Sequence, residues 1–195
     1  MYQNRWNGSL FTLVIVMFLS VTAWGAREKP VKYSTAGSRS GLLLDMAVYY
    51  GQSEASANPA AGNEWRNVTS VYDFKLGYVT ESHVYLGAEY STRSDSETLT
   101  STTGGTAGVG LGYLWGSGYH LRSFYRINET WGAFSNGTGF QADLGYMVNM
   151  AASFYLGVLV SHRQVTFTEN NTILNFKSMA KKDTQPMITF GFLFN

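Results

Sequence analysis

Hydrophobicity that alternates residue by residue, a scarcity of charge, and connections that switch between tiny and long predict an all-β fold. The fold expected is an eight-stranded antiparallel up-and-down transmembrane β-barrel behind an N-terminal signal peptide. Charged side chains are only 14% of the 195 residues, set against 21 glycines, 13 tyrosines and 12 phenylalanines. That balance suits strands that face lipid better than it suits a soluble enzyme. The 14 basic and 13 acidic side chains remove the electrostatic case for a nucleic-acid partner. With no cysteine, thiolate metal sites, cysteine nucleophiles and disulfides are excluded.

The N-terminal element reads as an address. Arg5 precedes an apolar run from Leu10 to Leu19, and small residues follow at Ala23, Gly25 and Ala26, the three regions of a secretory signal. The run is too short for the ~20 residues of a membrane-spanning helix. Residues 1–25 are therefore assigned to the signal, with cleavage after Ala23 or Gly25. Losing Arg5 leaves 13 basic side chains against 13 acidic.

From Gly41 onward the apolar residues fall at every second position. In the first segment Leu42, Leu44, Met46, Val48 and Tyr50 share a face, opposite Leu43, Asp45, Ala47 and Tyr49. Tyr72, Phe74, Leu76 and Tyr78 repeat the pattern opposite Asp73, Lys75 and Gly77, and Val84, Leu86, Ala88 and Tyr90 do so opposite Glu89 and Arg93. The fourth segment sets Ala107, Val109, Leu111, Tyr113 and Trp115 against Gly108, Gly110 and Gly112. The fifth turns Tyr119, Leu121, Ser123, Tyr125 and Ile127 away from His120, Arg122, Phe124 and Arg126. The sixth runs from Phe140 to Val148, the seventh from Ala152 to Val160, and the eighth carries Ile188, Phe190, Phe192 and Phe194. Such alternation is a strand between two environments.

Parity alone does not say which face meets lipid, since a soluble barrel also segregates its faces. Side-chain size and connection length decide it. Glycines gather on the polar faces, as a narrow interior requires, and bulky aromatics gather on the apolar ones. Connections at Thr80–Ser82, Gly116–Gly118 and Asn149–Met150 are tiny. Those at 52–67, 94–104, 128–138 and 165–183 are long and polar, the asymmetry of outer-membrane barrels. Aromatics also collect at both ends of the segments, as two interfacial girdles require.

On these residues the chain, over about 41–195, resembles the small eight-stranded bacterial outer-membrane barrels, the OmpA transmembrane domain and the OmpX-like group. Its end is the sharpest local feature: Thr189, Gly191, Phe192 and Phe194 look like the terminal signal that barrel-assembly machinery reads, although Asn195 follows the last aromatic. The resemblance implies a monomer in the cell outer membrane, with membrane lipid, lipopolysaccharide, assembly machinery and periplasmic chaperones as partners. It implies no cofactor. Residues 26–40, with Arg27, Lys29, Lys32 and Arg39 against Glu28, are then a short periplasmic segment.

The charges expected in the lumen are Asp45, Asp73, Lys75, Glu89, Arg93, Arg122, Arg126, Asp143 and Arg163. Charges in a narrow interior must pair or keep water, so an ion-pair network that plugs the barrel is expected. A turn centred in Gly116–Gly118 puts Arg122 opposite Gly112, Phe124 opposite Gly110 and Arg126 opposite Gly108. A turn centred in Thr80–Ser82 puts Lys75 opposite Gly87 and Asp73 opposite Glu89, so that Lys75 bridges two carboxylates.

Catalytic readings are weak. The deacylase group of eight-stranded barrels carries a histidine two residues before a serine, and His83, His120 and His162 all lack that spacing. Ser161 and His162 are adjacent, so they point to opposite faces. No metal-ligand spacing occurs, and the alternate glycines at 108, 110 and 112 are not a phosphate-cradling turn. Asn-x-Thr triplets at Asn67, Asn128, Asn136 and Asn170 read as loop composition. The expected role is envelope structure or surface interaction through the long loops. There Trp131, Phe134, Phe167, Ile173, Leu174 and Phe176 form a contact patch, pack over the barrel mouth or extend a hairpin. A narrow channel for ions or small apolar molecules is the first alternative, and a lipid A-modifying enzyme the second.

Overall fold

A computed structural model of the chain describes residues 40–56, 64–97, 100–151 and 153–194. The expected signal peptide, residues 26–39, Ala152 and Asn195 lie outside the described residues.

Eight strands follow one another: β1 (Gly41–Ser56), β2 (Glu64–Val79), β3 (Val84–Glu97), β4 (Ser101–Leu114), β5 (Tyr119–Trp131), β6 (Phe134–Asn149), β7 (Phe154–Asn170) and β8 (Met179–Phe194). Each pairs antiparallel with its neighbours in sequence, and pairing of β1 with β8 closes the barrel. Closure removes the free edges that an open sheet of this length would expose.

The two faces are the ones the alternation predicts. Outward stand Leu44, Tyr50, Phe74, Leu86, Leu111, Phe140 and Ile188, with Phe140 65% and Leu111 63% exposed, while Asp73, Arg122 and Asp143 inside are fully buried. This is a soluble barrel turned inside out, and only a hydrocarbon surround makes such an outer wall stable. The apolar belt on β1 runs from Leu42 to Tyr50, about 27 Å along the strand at ~3.4 Å per residue and about 20 Å of height at ~40° tilt. Aromatic pairs line its rims, with Tyr119 against Tyr146 at 4.9 Å near the short turns and Tyr125 against Phe140 at 5.2 Å toward the hairpins.

Three expectations need correction. First, much of what read as long loop is strand. β7 continues to Asn170, β3 to Glu97, β5 to Trp131, and β6 begins at Phe134, so the third connection is only Gly132 and Ala133. Beyond the belt most strand residues are polar on both faces, and without alternation Thr- and Ser-rich strand looks like loop. Strands of 13 to 17 residues exceed the ~9–11 needed to cross a bilayer, and the excess stands as a collar above the membrane.

Second, the β2–β3 register lies two residues from the one expected: Lys75 faces Glu89, Gly77 faces Gly87 and Asp73 faces Ser91. The turn is Glu81-Ser82-His83, closed by His83 N–H to Thr80 O and Thr80 N–H to Val84 O, both 2.9 Å. His83 occupies the left-handed position at φ 68°. The same turn recurs at Gly116-Ser117-Gly118, where Gly118 at φ 97° fills that position. A glycine announces a three-residue hairpin turn of this kind and a histidine does not. At β4–β5 the expected pairs are found, Gly112 with Arg122, Gly110 with Phe124 and Gly108 with Arg126.

Third, the connection after β6 extends past Met150, and β7 begins at Phe154, not Ala152.

Candidate functional site

The lumen is built on a simple local device. Beneath several bulky inward side chains a glycine on the same or a neighbouring strand gives a floor. Phe124 lies over Gly110, Arg122 over Gly112, Met147 over Gly157 and Tyr155 over Gly191, while the Tyr85 ring covers Gly77 and Gly87. A Cβ at any of these glycines would collide with the side chain above it. The glycine stripes are thus the means by which an eight-stranded barrel holds Tyr, Phe and Arg inside.

Of the nine charges expected in the lumen, eight are buried and Arg93 is partly buried. Arg122 of β5 reaches Asp45 of β1, half the barrel's circumference away, and forms a strut through the axis. One level higher, Lys75 Nζ lies 2.9 Å from Asp143, 3.4 Å from Asp73 and 3.5 Å from Glu89. It therefore contacts three carboxylates, not two. Arg163 Nη2 donates to Asp73 at 2.5 Å, and Ser91 Oγ donates to the other oxygen of Asp73 at 2.7 Å. Each of these charges has a partner of opposite sign, the first condition for burial, although Asp45 Oδ1, Glu89 Oε1 and Arg122 Nε and Nη2 have no hydrogen-bond partner.

Gln141 is the residue that sequence reasoning missed. Its Nε2 donates to Glu89 at 2.7 Å and to Asp143 at 3.0 Å, and its Oε1 accepts from Arg126 Nη1 at 3.0 Å. One amide thereby joins three charged residues of three different strands. The signal available was its inward parity on the sixth strand, but an uncharged residue draws no attention in a search for ion pairs.

A second omission is the seal beneath the ions. Every strand contributes one buried residue near the short turns: Leu43, Val79, Tyr85, Leu114, His120, Met147, Tyr155 and Leu193. The seven other than His120 belong to one apolar cluster, which also includes Phe124. These are the inward residues nearest the turns, so their position was readable, but parity gives no hint that they meet on the axis.

Above the lattice Arg93 bridges Asp95 and Asp183, each at 2.6 Å. Asp95 also accepts from Thr69 Oγ1 at 2.6 Å and from Trp131 Nε1 at 2.8 Å. Lys181 Nζ sits 3.5 Å from the Trp131 ring centroid, close enough for a cation–π contact. Trp131, Phe134, Phe167 and Phe176 pack on one another at this level, with Phe134–Phe176 at 5.6 Å. Ile173 and Leu174 remain exposed at the β7–β8 tip, Leu174 at 92%. The cavity between Arg126, Arg163, Lys181 and Asp183 is about 10 Å³, room for about one water.

No histidine is paired with a serine among the described residues. Ser161 is buried inside while His162 faces outward, with its Nδ1 2.8 Å from Thr184 Oγ1. Neither ring nitrogen of His120 has a protein partner, and His83 packs edge-on against Tyr113 at 6.0 Å. Among the described residues no group of three or more His, Asp or Glu side chains is arranged to hold a metal ion.

A closed eight-stranded barrel with an apolar outer belt, aromatic rims and an ionic interior defines the class: this is a small outer-membrane β-barrel. No protein-family model matches the chain, and no curated protein matches it. Among solved structures it is similar to the outer membrane protein AlkL in DMPC lipid bilayers, at 13% identity and a TM-score of 0.39, over 85% of this chain and 91% of that one. A likeness at that level carries no function from one protein to the other.

Proposed function

We propose that this chain is a closed barrel that serves the outer membrane as a structural and surface-contact element and not as a pore. The carrying observation is that two layers of different chemistry occupy the axis: the apolar ring at the turn end, and the lattice centred on Lys75, Asp73, Asp143 and Gln141. Water or ions crossing the lumen would have to break charge-assisted hydrogen bonds in one layer and wet the other. In this reading Asp45, Asp73, Lys75, Glu89, Arg93, Arg122, Arg126, Asp143 and Arg163 brace the wall and hold up the collar of extended hairpins, which meets whatever approaches the cell. The chain acts as a monomer and without catalysis.

Planar-bilayer recording of the refolded protein tests the reading. Little or no conductance is expected; large, steady conductance overturns it in favour of a narrow channel.

A further inference from the structure

The ring of strands closes over only part of its height. β1 and β8 pair at seven positions, from Leu42↔Phe194 to Val48↔Ile188, although β1 continues to Ser56 and β8 begins at Met179. On its other side β8 stays paired with β7 at fourteen positions, up to Phe167↔Met179. The early stop has a local cause in Pro186. Leu193 N–H donates to Ser153 O, on the β7 side, at 2.8 Å, and amides along a strand alternate between its two neighbours. Even-numbered residues of β8 therefore aim their amides at β1, and Pro186 is the first of that set above Ile188. It has no N–H to give. The ladder accordingly ends at Val48↔Ile188, near the top of the apolar belt.

Above that level the collar is a curled sheet whose two edges share no backbone ladder among the described residues. Side chains hold it curled instead. Asp183 of β8 accepts from Arg93 Nη1 of β3 at 2.6 Å. Lys181 of β8 lies 3.7 Å from Asp95 of β3 and 3.5 Å from the Trp131 ring centroid of β5. Both β3 and β5 stand three strands from β8 around the ring, so these contacts are chords across the mouth and not rungs between neighbours. We infer that Arg93, Asp95, Trp131, Lys181 and Asp183 form a clasp, and that on its release the collar opens at the β1–β8 seam while the belt stays shut. The side chains of Arg93, Lys181 and Asp183 keep 17%, 16% and 24% of their exposure. Ion pairs open to solvent in this way are individually weak and are screened by salt, so the clasp can let go without unfolding the barrel. The belt has no such exit, because its β1–β8 ladder is continuous. The two layers that close the axis lie below the clasp, so the inference goes beyond the closed-lumen reading and does not rest on it.

The chain has no cysteine, so paired spin labels report the opening directly. Thr103→Cys with Lys182→Cys puts exposed labels on β4 and β8 in the collar, and Leu111→Cys with Ile188→Cys puts them on the same two strands in the belt. For the protein refolded into lipid vesicles, double electron–electron resonance should give one narrow distance for each pair. Adding Lys181→Gln and Asp183→Asn should lengthen and broaden the collar distance and leave the belt distance unchanged. Adding Pro186→Thr to that clasp variant, which returns the missing donor, should bring the collar distance back. Raising the salt to ~1 M, where the screening length falls to about 3 Å, should lengthen the collar distance of the parent in the same direction. A collar distance unmoved by both the clasp variant and salt overturns the inference, as does a belt distance that lengthens equally, or a collar that Pro186→Thr fails to close. Heat-modifiable gel migration reports folding of each variant, and the salt titration needs no change beyond the labels. Planar-bilayer conductance reads the two axial layers separately, so failure of the closed-lumen reading and failure of the clasp are distinguishable.

Discussion

At the short-turn end the lumen is shut by seven apolar or aromatic side chains and His120, whereas toward the hairpins it is crossed by ions that hold one another. The apolar end excludes water by close packing and needs no partner atom in any particular place. The ionic end depends on geometry, since a carboxylate such as Asp73 is tolerable at full burial only while Arg163, Lys75 and Ser91 all reach it. The difference teaches that a narrow barrel can be closed by two kinds of layer that fail differently: one leaks when volume is removed, the other unfolds when a partner is removed.

Substitutions can break this contrast, and the ionic end should respond most strongly. Asp73→Ala strands Arg163 inside the barrel, while Lys75 keeps Asp143 and Glu89, and should cost about 3–5 kcal/mol of stability, read from urea unfolding in vesicles. At the apolar end Leu114→Ala should cost about 2–5 kcal/mol by opening a cavity in the ring, and leakage in bilayer recordings should rise with it. Equal leakage from Asp73→Ala at matched folded fraction would erase the distinction between the two layers.

The Arg122–Asp45 strut sharpens the comparison because it lies between the two layers. Either Arg122→Met or Asp45→Leu alone should destabilise by about 3 kcal/mol, and the double variant should recover most of that loss, since an apolar pair can replace a buried ion pair at little net cost. A double variant no better than the singles would show that the strut is irreplaceable by packing. At the two related turns, His83→Gly should stabilise by about 0.5–1 kcal/mol, because it relieves a left-handed residue. Gly118→Ala should do the reverse. Smallest of all, Lys181→Ala at the mouth should cost about 0.5–1 kcal/mol, through loss of its cation–π contact with Trp131 and its ion pair with Asp95.

Much of the barrel was legible from individual residues. Asp45, Lys75 and Arg122 could be assigned inward because side chains on a strand alternate, and that rule needs no knowledge of neighbouring strands. The glycine at 118 announced its turn, so the pairs that follow from it were readable, whereas His83 concealed an equivalent turn and displaced the expected register by two residues. The collar was illegible for a related reason: from Thr92 to Ser96 neither face is apolar, and from Thr166 to Asn170 Phe167 is the single apolar side chain, so alternation fades while the hydrogen-bond ladder continues.

What the amino-acid order determined by itself is therefore local and periodic: which side of each strand meets hydrocarbon, how many strands there are, and where glycine permits a tight turn. The tertiary structure alone decided who meets whom across the axis. Arg122 and Asp45 are 77 positions apart, Gln141 joins residues of separate strands, and eight unrelated stretches each supply one member of the ring. Those meetings depend on closure of the sheet and on its stagger, which are properties of the whole ring and are written in no single strand.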